Sequence, residues 1–180
     1  MDGRVTIAVT DGVADVRLAR GEKLNAIDGK MFDALAEAIA ALSSRAELRA
    51  VVLSGEGRFC SGLDMAAMAG GELAGLDLAA RSHGPANLVQ QVAWGWRTLP
   101  VPVIAAVHGV VFGGATQIMG GADIRLAHPA TRFAIARCIG ASSPTWAASR
   151  CGTGCAGMCF ANGSIPRANS TRPKRWRRGS

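Results

Sequence analysis

Two runs of small apolar residues, at positions 50–54 and 103–107, constrain the fold of this chain most strongly. Neither run alternates between apolar and polar residues, and each is short and ends at glycines. A strand that is apolar at every position is typical of a sheet covered on both faces, as in parallel α/β sheets. The two runs therefore predict the centre of a parallel sheet, with loops of small residues at the strand ends.

The remaining periodic segments predict how the chain reaches this sheet. Two segments alternate and flank a Thr-Asp-Gly turn, which is typical of a hairpin. Two others have apolar residues at helical spacing, the first beginning after the candidate N-cap Asp28. The predicted elements are strands at 4–9 and 13–18, helices at 28–42 and 88–99, and a third, shorter buried strand at 123–127. The repeated strand–strand–helix order predicts an α/β or α+β domain that can stack as a spiral.

Charge divides the chain into two segments of different composition. Residues 1–136 contain 12 Lys/Arg, 13 Asp/Glu and one cysteine, whereas residues 137–180 contain 8 Lys/Arg, no acid and four cysteines. We therefore expect a core at 1–136 and a disordered tail at 137–180. The basic tail would mimic a nucleic-acid patch, and its cysteines a metal site, but they lack a fourth ligand. We expect no metal, no nucleic acid, no membrane span and a cytoplasmic location.

The two apolar strands each lead into a loop of small residues, at 57–65 and 108–115. Small residues let backbone N–H groups approach a ligand, and a helix after each loop would direct further N–H groups to the same place. Such a pair of loops can bind one carbonyl oxygen and stabilise an enolate. The alternative is that the glycines only form tight turns. Neither loop has a phosphate-binding or nucleophile-elbow motif, so Cys60 and Ser61 are expected to contribute packing or backbone groups.

Three motifs, at residues 20–26, at 59–64 and from 106–109 through 121–125, resemble those of the crotonase family, the enoyl-CoA hydratases and isomerases. The resemblance covers about residues 4–136, with the motifs in the family's order and spacing. It implies an α/β fold, a crotonase-like spiral of ββα units truncated before the C-terminal helical region. It also implies an acyl-CoA thioester as substrate, no cofactor other than the coenzyme A of that substrate, and a homotrimer or hexamer.

The resemblance also implies roles for individual residues. The thioester carbonyl would lie between the backbone N–H groups of Ser61 and Gly114. The residues expected to contact the substrate are Lys23, Leu24, Ala26, Gly62, Leu63, Asp64, Met65 and Gly113. His108 and Asp123 are expected to be structural.

The departures from the family pattern concern its two glutamates. Gln117 stands where family hydratases have a glutamate, and an amide cannot take a proton from water. No acid follows residues 132–135, where the second glutamate is expected. The parent enzyme would hydrate or isomerise a 2-enoyl-CoA, and this chain is expected to be impaired. The alternative is a non-catalytic acyl-CoA-binding or interaction protein of the same fold.

A shift of reading frame near residue 137 accounts for the unusual tail. When the codons of residues 143–151 and 167–176 are read one frame over, with permitted third bases, they yield acids, helical periodicity and segments that resemble crotonase sequence. We therefore interpret residues 137–180 as frame-shifted, which would remove the second glutamate.

Overall fold

The computed structural model describes residues 2–134, which form a sheet covered by helices. The strands are β1 (Val5–Thr10), β2 (Val13–Leu18), β3 (Ala50–Gly55), β4 (Val103–Val107), β5 (Val110–Phe112), β6 (Ile124–Ala127) and β7 (Arg132–Ala134). The α-helices are α1 (Gly29–Ser43), α2 (Met65–Ala69), α3 (Leu88–Trp94) and α4 (Gly114–Gly121). Short 3₁₀ turns lie at Gly21–Lys23, Glu72–Gly75 and Gly95–Thr98.

The main sheet has the order β1-β2-β3-β4-β6 and is antiparallel only between its first two strands. The pairs β2–β3, β3–β4 and β4–β6 are parallel. Asp11 and Gly12 join β1 to β2 with φ of 50° and 77°, the left-handed geometry of a tight hairpin turn. The α/β architecture, the hairpin and the two central strands are confirmed, and β3 and β4 lie in the middle of the sheet as their apolar runs predict.

Helix α1 covers the sheet because its apolar residues recur at helical spacing. Its N-terminus lies where the sequence predicts, since Asp28 Oδ1 accepts a hydrogen bond from the Met31 N–H at 2.9 Å. The largest fully buried side chains are Trp96, Phe32, Phe59, Leu18, Ile27, Met31, Leu35, Leu42, Leu53, Ile118, Val16 and Val51. This core packs the helices on the sheet and holds the ends of β3 and β4 in fixed positions.

The prediction that residues 123–127 form a buried strand is wrong in its burial. β6 exists, but all four of its residues are exposed, with Ile124 48% and Leu126 59% exposed. Within residues 2–134, β6 pairs with β4 alone, so it is the edge of the sheet. The sequence of residues 123–127 predicts burial because its apolar residues resemble those of β3 and β4. Asp123 is structural as expected, because its Oδ2 accepts a hydrogen bond from the Val103 N–H at 2.9 Å.

The second loop of small residues contains a short strand, β5, that its sequence does not predict. β5 pairs with β7 in a parallel two-stranded sheet. The tail expected at 137–180 lies outside the described residues. Among residues 2–134, none of the helices is long and apolar enough to cross a membrane.

Candidate functional site

The two loops of small residues adjoin each other directly. The Cys60 N–H donates to the Val110 carbonyl at 3.1 Å, and the Phe112 N–H donates to the Cys60 carbonyl at 3.2 Å, so Cys60 pairs with Val111 in parallel. The chain then passes Gly62, which has φ of 90°. A Cβ at this position would lie 2.6 Å from the Phe112 carbonyl oxygen. Glycine is therefore required for the backbones to approach this closely.

The N–H of Ser61, predicted to bind the thioester carbonyl, is already used within the fold. It donates to the Leu24 carbonyl at 3.0 Å. A ligand could receive this N–H only if that hydrogen bond broke, which would leave a carbonyl without its donor. The structure therefore argues against the Ser61 N–H as the oxyanion donor, and the residue instead joins the 20–26 loop to the 57–65 loop.

Leu63, two residues further on, presents an N–H with no acceptor among residues 2–134. Hydrogen bonds made by Gly62 and Asp64, on either side of Leu63, pair Leu63 with Ile27 in a parallel ladder. The Ile27 N–H donates to the Gly62 carbonyl at 2.8 Å, and the Asp64 N–H donates to the Ile27 carbonyl at 2.9 Å. In extended backbone, successive N–H groups point to opposite edges. The Leu63 N–H therefore points away from Ile27.

Gly114 supplies the second N–H group that has no acceptor in the described part of the chain. It is the first residue of α4, where N–H groups have no partner within the helix. Gly113 is fixed by three hydrogen bonds: its N–H donates to the Ala134 carbonyl at 2.8 Å, and its carbonyl accepts from the Thr116 N–H at 3.0 Å and from the Thr116 hydroxyl at 2.6 Å. A Cβ on Gly62 would lie 3.7 Å from the Gly113 Cα, so Leu63 and Gly114 each directly follow a point where the two loops touch. The positive end of the α4 dipole favours negative charge at this place.

Gln117 lies one turn further along α4, three residues after Gly114, and is partly buried. Residues three apart share a helix face, so Gln117 and Gly114 lie on the same side of α4. Its amide can hydrogen-bond a water molecule or a carbonyl but cannot accept a proton as a base.

The 20–26 loop is held in an unusual backbone conformation. Leu24 and Asn25 both have left-handed φ, of 54° and 53°. The buried Asn25 side chain compensates because its Nδ2 donates to the carbonyls of Glu56, Arg58 and Phe59, at 3.1, 2.6 and 3.1 Å. Asparagine tolerates this region of φ better than most residues, whereas leucine is strained in it.

Among the residues expected to contact substrate, several are accessible around these loops. Lys23 is exposed, Leu24 is 41% exposed and Met65 is 70% exposed. Ala26 is nearly covered, and its carbonyl accepts a hydrogen bond from Arg20. Apolar side chains in water beside open N–H groups suit a ligand with both apolar and polar parts.

Asp64 lies between α2 and the buried Arg20. Its Oδ1 accepts hydrogen bonds from the Ala66 and Ala67 N–H groups, and its Oδ2 lies 2.8 Å from Arg20 Nη1. Burial is the largest single influence and raises the pKa of this carboxyl. The hydrogen bonds from Ala67, Arg20 and Ala66 outweigh it and lower the pKa below its ordinary value. Asp64 is thus an ionised helix cap. No local pattern in the sequence indicates this role for Arg20, although residue 20 begins the first of the three motifs.

Cys60 is fully buried. Burial raises the pKa of its thiol to about 12, against a weaker opposing effect of the Gly62 N–H. The thiol is therefore protonated at neutral pH and is a poor nucleophile, as the sequence analysis expects.

A cleft of about 710 Å³ lies elsewhere, on the face of the sheet formed by β1, β2 and β3. It is lined by Thr6, Asp15, Arg17, Ala19, Val52, Ser54, Gly55, Glu56, Gly57 and His108. None of the residues predicted to contact substrate lines it. Residues 2–134 also contain no group of three His, Cys, Asp or Glu side chains placed to bind a metal.

Several known proteins are similar to this chain in sequence. Residues 8–171 match the family model for enoyl-CoA hydratase/isomerase. Mitochondrial Delta(3,5)-Delta(2,4)-dienoyl-CoA isomerase of Rattus norvegicus is 34% identical, over 63% of this chain and 36% of its own. The 1,2-epoxyphenylacetyl-CoA isomerase of Escherichia coli K12 is 36% identical, over 71% and 48%. The chain thus spans less than half the length of these curated relatives.

Solved structures are also similar to this chain. A candidate enoyl-CoA hydratase from Streptomyces coelicolor A3(2) has 44% sequence identity and a TM-score of 0.62, over 72% of this chain and 47% of its own. An enoyl-CoA hydratase from Shewanella pealeana has 25% identity and a TM-score of 0.63, over 72% and 48%. The family match covers most of the chain, and the fold is shared. The chain therefore belongs to the enoyl-CoA hydratase/isomerase family.

Proposed function

We propose that this chain binds an acyl-CoA thioester whose carbonyl oxygen lies between the N–H groups of Leu63 and Gly114. The observation that supports this most is that both N–H groups lack an acceptor among residues 2–134 and directly follow Gly62 and Gly113, where the two loops touch. Two converging N–H groups stabilise the negative charge that develops on a thioester oxygen when an enolate forms. Leu63 replaces Ser61 in this proposal because the Ser61 N–H is bonded to Leu24.

The exposed residues of the 20–26 loop and of α2 would bind the rest of the ligand. Lys23 offers an ammonium group to the phosphates of coenzyme A, and such charge-assisted contacts are stronger than neutral ones. Leu24 and Met65 offer apolar surface to the pantetheine or the acyl chain. Coenzyme A is part of the ligand, and no separate cofactor is proposed.

The chemistry that follows binding would be limited because the residue at position 117 is an amide and not a carboxylate. Hydration requires a group that removes a proton from water, and Gln117 can only orient the water. Asp64 is engaged with Arg20 and the N-terminus of α2. We therefore expect tight binding with little hydration or isomerisation. Gln117 in this position also favours the second candidate function, an acyl-CoA-binding protein without turnover.

Crotonyl-CoA tests the proposal and separates the two functions. We expect it to raise the melting temperature, because a ligand at about 100 times its Kd stabilises the folded state by about 2.7 kcal/mol. The enoyl absorbance should decay slowly, and faster in Gln117→Glu, which restores a base. Equal stabilisation by free coenzyme A would contradict carbonyl binding. Unchanged decay in Gln117→Glu would favour the non-catalytic function.

The assembly state remains a prediction from the family. A homotrimer or hexamer is expected, and the exposed apolar residues of β6 offer surface for contact with another subunit. Sedimentation equilibrium of the purified chain tests this, and a monomer at micromolar concentration would contradict it. The cytoplasmic location also stays a prediction.

A further inference from the structure

We infer that Arg20 is a positioning residue that holds the Leu63 N–H in place for the thioester carbonyl. This inference rests on the proposed function. The Arg20 side chain is about nine-tenths buried, and its Nη1 lies 2.9 Å from the Ala26 carbonyl, 2.8 Å from Asp64 Oδ2 and 3.2 Å from Asp28 Oδ2. One guanidinium nitrogen thus contacts three separate points of the chain around the site.

The three contacts lie on both sides of the ladder that carries Leu63. Ala26 and Asp28 precede and follow Ile27 in one segment, and Asp64 follows Leu63 in the other. The ladder itself has only two hydrogen bonds, which join Ile27 to Gly62 and to Asp64. Arg20 therefore fixes the position and spacing of the two segments more firmly than the ladder alone.

Backbone hydrogen bonds in turn hold Arg20 itself in position. Its N–H donates to Asn25 Oδ1 at 2.7 Å, and its carbonyl accepts from the N–H groups of Lys23 and Asn25 at 3.0 and 2.9 Å. Both carboxylates that it contacts use their other oxygen to cap a helix, Asp28 at α1 and Asp64 at α2. The site is thus joined to two helix N-termini through one side chain.

The buried Nε of Arg20 has no hydrogen-bond partner within residues 2–134. A lysine or a neutral side chain would avoid leaving such a group unpaired, so the fold keeps arginine at a cost. The planar guanidinium holds the two N–H bonds of Nη1 in fixed directions, towards Ala26 and Asp64, whereas the ammonium of a lysine rotates on a flexible stem and would hold the two segments less firmly. We therefore expect lysine to replace arginine only in part.

Arg20→Lys tests the inference through the preference of the chain for a ligand that contains a thioester carbonyl over one that lacks it. The readout is the ratio of the Kd of a carbonyl-free alkyl-CoA thioether to the Kd of butyryl-CoA, measured by calorimetry on the 180-residue chain. A displaced N–H loses one neutral hydrogen bond, so we expect the ratio to fall about fivefold. A loss of stability alone would weaken both ligands equally and leave the ratio unchanged.

Arg4→Lys is the matched control. Arg4 Nη2 also pairs with Asp28, at 2.7 Å, but Arg4 has no hydrogen bond to Ala26 or Asp64. The ratio should stay at the wild-type value in this variant. Asp64→Asn, which keeps an oxygen for the α2 cap but removes the charge, should lower the ratio and serves if Arg20→Lys does not fold.

The outcomes separate this inference from the proposed function. A wild-type preference for butyryl-CoA that survives in Arg20→Lys, or in Asp64→Asn where that variant is the one used, overturns the positioning role alone. A wild-type chain without any preference overturns the proposed function, and the positioning role with it. A preference lost in Arg20→Lys and retained in Arg4→Lys supports both.

Discussion

The two N–H groups of the site are held by different kinds of interaction. The segment of Leu63 is fixed by buried charges, through Arg20, Asp28 and Asp64. The segment of Gly114 is fixed by the start of a helix, by a backbone hydrogen bond from Gly113 and by one neutral hydroxyl. Charge-assisted contacts respond to pH and to charge-changing substitutions, whereas neutral ones respond little. The Leu63 side is therefore the half of the site whose stability should change with pH and with charge-changing substitutions.

The largest expected effect comes from Gly62, where the two sides touch. In Gly62→Ala the new Cβ would meet the Phe112 carbonyl oxygen at 2.6 Å and would also require φ of 90°. We expect a loss of about 4 kcal/mol in the free energy of unfolding, because the backbones must separate. Urea denaturation measures it.

Gly57→Ala is the control for Gly62. Gly57 has φ of 67°, yet a Cβ there meets no atom within 4 Å. It should cost only the left-handed strain, about 1 kcal/mol. Equal losses in the two variants would show that close approach of the loops is unimportant.

Asn25→Ala should affect the Leu63 side next most strongly. Three carbonyls would lose their contact with Nδ2, and alanine tolerates the left-handed φ less well than asparagine. We expect a loss of about 3 kcal/mol. Hydrogen exchange by mass spectrometry should show faster exchange at residues 56–64 than at residues 113–117. Uniform acceleration across both segments would contradict the separation of the two sides.

Acid should loosen the Leu63 side before the Gly114 side. Because the folded-state pKa of Asp64 is lowered, its stabilisation is present above the unfolded-state pKa and is lost as pH falls through the folded value. Peptides around residues 62–67 should exchange faster as the pH is lowered towards 3, once intrinsic rates are corrected for. Asp64→Asn should cost about 1.5 kcal/mol at neutral pH and remove part of this pH dependence.

The smallest effect is expected on the Gly114 side. Thr116→Val removes the hydroxyl that donates to the Gly113 carbonyl at 2.6 Å. We expect a loss of about 1 kcal/mol that is the same at pH 5 and pH 8, since no charge is involved. A loss that changes with pH would mean that this side is coupled to the charged one.

The sequence predicted the strands and helices well where periodicity was unambiguous. The alternation of β1 and β2, the apolar runs of β3 and β4 and the Asp28 cap all correspond to local physical requirements. Burial of β6 was predicted wrongly, because an apolar run shows that a strand can be buried and not where it lies in a sheet. Strand β5 was missed because three residues between glycines carry too little periodicity.

The site was predicted less completely than the fold. The two loops were identified from their small residues, but which N–H is open depends on partners far away in sequence. Leu24 lies 37 residues before Ser61 and accepts its N–H, and no local pattern reveals that pairing. The role of Arg20 likewise depends on Asp64, 44 residues away. Contacts at such separations follow from the topology and not from the motifs.

Backbone amide resonances of the ¹⁵N-labelled chain, followed while butyryl-CoA is added, show directly which N–H groups bind the thioester carbonyl. We expect the Leu63 and Gly114 amide protons to move downfield together and Ser61 to move little, and the carbonyl-free thioether to leave all three nearly unchanged. A shift of Ser61 in place of Leu63, or equal shifts with both ligands, would contradict a carbonyl bound between Leu63 and Gly114.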